Sequence, residues 1–345
     1  GMKKWLKRIG LGVIALIIVF CVWNFQLIRY GLFQLKGQLH VVNNTVPLDD
    51  FIDNPQTPDS LRQKALLVNQ IRSFAFDSLG INYSENYTEI FDQQGKTSMY
   101  VVTACDPYSF TPKTWKFPIV GSFPYKGFFD RQKAVDLANE IKAKDSLDVG
   151  VRTAGGWSTL GWFKDPILSN MLNRSEGDLA SLLIHELTHG TLFVKDSVTF
   201  NENLASFIGD RGAIMYLSSK YGKNSPEVSQ YQSEIADEEL FKAYILKVAK
   251  SLDSLYTSMK ELPASEKKEL KKNKIDQIRT NFDTLGFKSE VYKGFFETYV
   301  PNNTFFMSYL RYNSQQQVLQ DELNLKYKGD LKRYLEYLKS KYPSL

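Results

Sequence analysis

Leu182-Leu183-Ile184-His185-Glu186-Leu187-Thr188-His189 decides how this chain is read. On a helix, residues four apart lie on one face a single turn from each other, so His185 and His189 can grip one ion. Zinc suits that pair, because it accepts nitrogen and oxygen donors in a tetrahedron. Glu186 then stands beside the ion's open position, placed to act as general base toward a zinc-activated water. The flanks fit a buried metal helix. Ser175, with Asp178 three residues later, resembles a capping box, and Leu179, Leu182 and Leu183 supply an apolar face.

A third ligand is required, and the chain holds only three histidines. His40 lies far upstream beside an apolar segment, and Lys195 occupies the position where a longer histidine motif would place its third member. A carboxylate should therefore complete the site. Glu202, thirteen residues after His189, sits in Thr199-Phe200-Asn201-Glu202-Asn203-Leu204, which reads as the start of a second, antiparallel helix. A competing reading makes Thr199 and Glu202 a capping box, in which case Asp196 or Asp210 replaces the glutamate. Two histidines and a glutamate leave one position open, as in catalytic zinc sites.

Working outward, Ile9 to Ile28 is a run of twenty residues without a charge, preceded by Lys3, Lys4, Lys7 and Arg8. As a helix it is about 30 Å long, enough to cross a bilayer core. Cations ahead of it favour a cytoplasmic N-terminus with the remainder passed outward. The run is longer than a usual signal core and lacks a small-residue exit, so it reads as an uncleaved anchor. Gly1, ahead of Met2, reads as a cloning remnant. The expected organisation is an anchor over residues 1–29 and a catalytic domain over 30–345, single-pass in a bacterial inner membrane with the domain in the periplasm.

Residues 30 to 95 read as mostly helical, 98 to 163 as mixed, and 175 to the end as helical almost throughout. Met99 to Ala104 is a β-rich run, Trp115 to Phe129 suggests strands and turns, and Arg131 to Lys144 an amphipathic helix. Ser158 to Phe163 reads as a strand, offered either to substrate backbone or to the core. The expected fold class is α+β, predominantly helical, with the metal helices under a small β-sheet. A net charge of +5 comes from lysines interleaved with acidic residues, which gives no nucleic-acid stripe. Cys21 and Cys105 cannot build a disulfide framework or a cysteine-based zinc site.

With these residues in hand, the sequence resembles the bacterial family of zinc aminopeptidases inferred from an HExxH motif, a gluzincin-like metallopeptidase group. The resemblance runs through Tyr30 to Leu39, Thr114 to Gly121, Tyr125 to Phe129, Ser158 to Pro166, Phe200-Asn201-Glu202, and Asn302-Asn303 followed by Tyr312. It implies a zincin-like core, one zinc ion on His185, His189 and Glu202, Glu186 as base, and a peptide substrate. Trp157 departs from the family's usual tyrosine, and Lys116 from a frequent cysteine. An oxyanion donor is also needed, and Tyr309, Arg311 and Tyr312 are the candidates, since His40 is the only remaining histidine. Ser158, Thr159 and Asn303 are the candidates for substrate contact. A zinc endopeptidase, a hydrolase of a non-peptide amide and a non-catalytic peptide-binding or assembly protein on a peptidase fold remain open alternatives.

Overall fold

In the computed structural model the described residues are 2–287 and 292–345, with the side chains of residues 2–4 and 8 excepted. The roles expected of Gly1 and of the Lys3, Lys4 and Arg8 cations therefore lie outside the described residues. The chain divides into two units, residues 1–45 and 46–345.

The first unit is two helices, α1 (Met2–Trp23) and α2 (Phe25–Asn43). The run expected to form one span breaks at Asn24, whose φ of −103° and ψ of 20° leave the helical region. Its amide side chain bonds Phe20 O at 3.0 Å, the local competition that makes asparagine a weak helix-interior residue. The stretch long and apolar enough to cross a membrane is Trp5–Trp23. A signal sequence near an N-terminus would meet the same criterion.

After β1 (Thr45–Pro47) come α3 (Leu48–Asp53), α4 (Asp59–Ser78), β2 (Glu89–Phe91) and β3 (Tyr100–Cys105). Then follow β4 (Trp115–Phe117), β5 (Gly121–Phe123), β6 (Lys126–Phe128), α5 (Arg131–Asp145), β7 (Asp148–Thr153) and β8 (Ile167–Leu168). The remainder is helical: α6 (Glu176–His189), α7 (Val198–Tyr221), α8 (Pro226–Ser258), α9 (Ala264–Phe282), α10 (Asn303–Asn313), α11 (Gln316–Tyr327) and α12 (Leu331–Lys341). The chain is thus predominantly helical with small sheets. β3 is the centre of an antiparallel sheet, ordered β6-β3-β7, with Val102 opposite both Lys126 and Val151. A hairpin of β4 and β5 and a parallel pairing of β2 with β8 stand apart from it.

Two differences from the sequence reading have clear causes. Helix ends at Ser78, and Gly80, at a φ of 75°, turns the chain into the irregular segment leading to β2. No strand forms over Ser158 to Phe163. Thr159 instead closes a turn: its hydroxyl donates to Asp165 Oδ1 at 2.6 Å, and its N–H reaches the same carboxylate. Leu160 and Gly161 follow at positive φ, which a ladder strand does not allow.

One core packs α4, α6, α7, α11 and α12, with Ile71, Leu183, Phe207 and Leu335 fully buried. A second, aromatic core joins α8, α9 and α10 through Phe241, Phe282, Phe296 and Phe306. The pairing of α6 with α7 fixes the site, and glycines let it close. A Cβ on Gly209 would lie 2.7 Å from the Ser181 carbonyl oxygen and 3.3 Å from His185 Cβ. Gly209→Ala must therefore push the two helices apart. The expected cost is about 1–3 kcal/mol of stability, as for overpacking elsewhere, read as a lowered urea midpoint with an unchanged slope.

Candidate functional site

α6 begins where Ser175 accepts a hydrogen bond from Asp178 N at 3.3 Å, the expected cap. Leu179, Leu183 and Leu187 anchor its buried side, which turns His185 and His189 toward α7. α7 begins at Val198, so Thr199 lies inside the helix and caps nothing with Glu202. Glu202 instead faces the histidines, its Oε2 lying 3.4 Å from His185 Nε2 and 3.3 Å from His189 Nε2. The two Nε2 atoms are 3.2 Å apart. His185, His189 and Glu202 together form a group that could hold a metal ion.

The turn of α7 carrying Glu202 is pinned on both sides. Asn201 makes two reciprocal bonds with Val194, accepting from its N–H and donating to its carbonyl, both at 2.8 Å. Asn203, fully buried, donates to Arg311 O and accepts from Gln315 N at 2.8 Å. His185 Nδ1 lies 3.4 Å from Ser206 Oγ, one helical turn beyond Glu202. His189 Nδ1 is buried without a hydrogen-bond partner, and the Phe193 ring packs edge-on against this imidazole.

The other proposed carboxylate ligands are elsewhere. Asp196 Oδ1 accepts from Ser122 N at 2.6 Å, and Asp210 Oδ1 accepts from the Ser181 hydroxyl at 3.0 Å. Neither joins the group.

The three side chains open on a cleft of about 630 Å³ that Val101, Gly127, Arg152 and the segment from Ala154 to Leu160 also line. Glu186 lines it beside the triad. Burial pushes the Glu186 carboxyl up to about 7; His185 favours its ionised form, while the charges of Glu202 and Asp165 add to the rise. Burial would raise Glu202 as well, but His189 and His185 outweigh it and hold this carboxyl well below the usual range. The two neighbouring glutamates are thereby driven in opposite directions. Gly156 runs close over Glu186, where a Cβ would come within 3.5 Å of its Oε1.

Tyr312 also lines the cleft, its ring stacked on His185 with centroids 6.3 Å apart. Its phenol oxygen accepts from Arg152 Nη2 at 3.3 Å. Tyr309 lies in the aromatic core against Phe241 and faces a smaller cavity of about 300 Å³, which His185, Arg152 and Tyr312 also border. Arg311 is 3% exposed and sits with its guanidinium over the Tyr125 ring. Ser158 and Thr159 line the cleft, with the Thr159 hydroxyl committed to the Asp165 turn.

Asn303 lies nine residues before Tyr312 on α10, roughly 13 Å along the axis, and is not among the residues lining the cleft. Its side chain accepts from Tyr256 OH at 2.6 Å and donates to Asp106 O at 2.9 Å, joining α8, α10 and the segment after β3. Sequence reasoning also missed Arg152 and Tyr125, whose hydroxyl points at Glu202 Oε1 from 3.5 Å. Both lie in or beside short strands, where nothing local separates a cleft-facing residue from a solvent-facing one.

The family model described as "Putative aminopeptidase" matches residues 29–341. Comparison with curated proteins and with solved structures finds no match.

Proposed function

The chain belongs to that aminopeptidase family, and from this premise we propose that it is a zinc-dependent peptidase that removes residues from free amino termini. The observation that carries the proposal is the triangle of ligand atoms, with sides of 3.2, 3.3 and 3.4 Å. Three corners of a tetrahedron around an ion with ligands at roughly 2.0–2.1 Å are about 3.3–3.4 Å apart, so the donor set and its spacing fit zinc. The buried, partnerless Nδ1 of His189 is compatible with an imidazole whose working nitrogen is Nε2.

A zinc ion bound there would supply Lewis-acid polarisation of the water and of the scissile carbonyl. Glu186, with its carboxyl lifted to about 7, takes the proton from the attacking water and passes it to the leaving amine. Tyr312, whose oxygen accepts from Arg152, keeps its own proton to donate toward the carbonyl oxygen as charge develops. Burial raises the Tyr312 phenol above its ordinary value, which keeps that proton in place. Ser158 and Thr159 form part of the wall along which the peptide lies. In this reading the core is zincin-like. The N-terminal helix holds the second unit on the periplasmic side of an inner membrane, a reading supported by Trp5–Trp23 and by the cations that precede the apolar run.

The full chain, purified in detergent without chelator or histidine tag, is expected to carry near-stoichiometric zinc. It should cleave unblocked peptides and leave acetylated ones intact, lose activity to a chelator, and regain it with zinc. Equal cleavage of both substrates would make it an endopeptidase. A zinc-loaded protein that cleaves neither would overturn the proposal.

A further inference from the structure

Two arginines beside the candidate metal group, Arg152 half-buried and Arg311 buried, have donors without acceptors. Arg152, on β7, borders both the main cleft and the smaller cavity, next to His185 in each. Its one hydrogen bond among the described residues is from Nη2 to the Tyr312 hydroxyl, and its Nε is buried without an acceptor. Arg311, on α10, is almost wholly buried; its guanidinium rests over the Tyr125 ring, and its Nη1 is likewise without an acceptor. Neither guanidinium has a carboxylate within ion-pair distance among the described residues.

The two cations are close enough to disfavour each other electrostatically. Glu202, the nearest acid, gives Oε2 to the imidazoles, and its Oε1 accepts from Tyr125. Holding two like charges side by side, Arg311 buried and Arg152 half-buried with unused donors, is costly unless an anion joins them. Arginine's planar fork suits a carboxylate, whose two oxygens it can meet with parallel N–H bonds.

We propose that Arg152, backed by Arg311, receives a carboxylate of the substrate, so that the cleft selects peptides carrying one close to the bond that is cut. This rests on the peptidase reading and narrows its substrate class. The carboxylate has two possible sources, the free carboxyl terminus of a short peptide or an aspartate or glutamate side chain.

The test uses the full zinc-loaded chain in detergent and three tripeptides of equal length. One has neutral side chains and a free carboxyl terminus, the second is its carboxamide, and the third is the carboxamide with glutamate in the middle position. Affinity is measured by calorimetry on the Glu186→Gln protein, and turnover on the unaltered one. One or both carboxylate peptides should bind about 10- to 100-fold more tightly than the neutral amide, the range for hydrogen bonds to a charged group. Which of them does so identifies the source. In Arg152→Gln that ratio should collapse toward one, whatever happens to turnover, while Arg152→Lys, which keeps charge without the fork, should retain part of it.

Equal affinity for all three peptides, or a ratio untouched in a folded Arg152→Gln, would overturn the inference, and so would an absence of binding. Turnover without selectivity would leave the peptidase reading standing and remove this one. Selective binding without turnover would do the reverse.

Discussion

Glu186→Gln should lower peptide turnover by about 10²–10⁴-fold, the range spanned by general acid–base catalysis, while leaving the metal bound. The separation follows from geometry. Glu186 lines the cleft beside the triad but contributes no atom to the group formed by His185, His189 and Glu202. Glutamine keeps the shape and most of the polarity of the side chain but cannot carry the proton. It also removes an ionisable group that burial already disfavours as an anion, so the fold should lose no stability. The measurement pairs zinc content by elemental analysis with kcat on an unblocked peptide. Full activity in a zinc-replete variant would assign the base elsewhere.

The second large effect is expected at the ligands. Glu202→Ala and His189→Ala should each strip the metal, with affinity falling well beyond the 10- to 100-fold typical of residues that only support a ligand. Glu202→Ala is the sharper of the two, since it takes the only carboxylate from the triangle and leaves the two imidazoles, with Nε2 atoms 3.2 Å apart, facing each other alone. Dialysis against a graded zinc buffer would measure the loss. Retention of stoichiometric zinc in Glu202→Ala would return Asp196 or Asp210 to consideration, despite their bonds to Ser122 and Ser181.

That His185, His189 and Glu202 come together was legible in the sequence because local rules determine it. A four-residue spacing on a helix fixes the mutual placement of His185 and His189, and a loop too short to wander returns Glu202 to the same group. The capping alternative at Thr199 could not be dismissed from sequence, because the position of the first turn of α7 decides it. The structure places that turn two residues earlier. The aromatic run from Trp157 to Phe163 has strand-like composition, yet the bonds of Thr159 to Asp165 and the positive φ of Leu160 and Gly161 make it a turn. Asn303 enters through the resemblance, in Asn302-Asn303 followed by Tyr312; on α10 its side chain bonds Tyr256 and Asp106, partners far away in sequence that no local pattern announces. Arg152 and Tyr125 carry no periodic signal, because what matters about them is which element faces them across the cleft.

The reciprocal pair of bonds between Asn201 and Val194 has a consequence for how an ion would enter the group. Together with the Asn203 contacts to Arg311 and Gln315, it fixes the turn of α7 that carries Glu202 using amide chemistry alone. An ion entering the group of His185, His189 and Glu202 would then meet a carboxylate already in position, and loading would require no rearrangement of this turn.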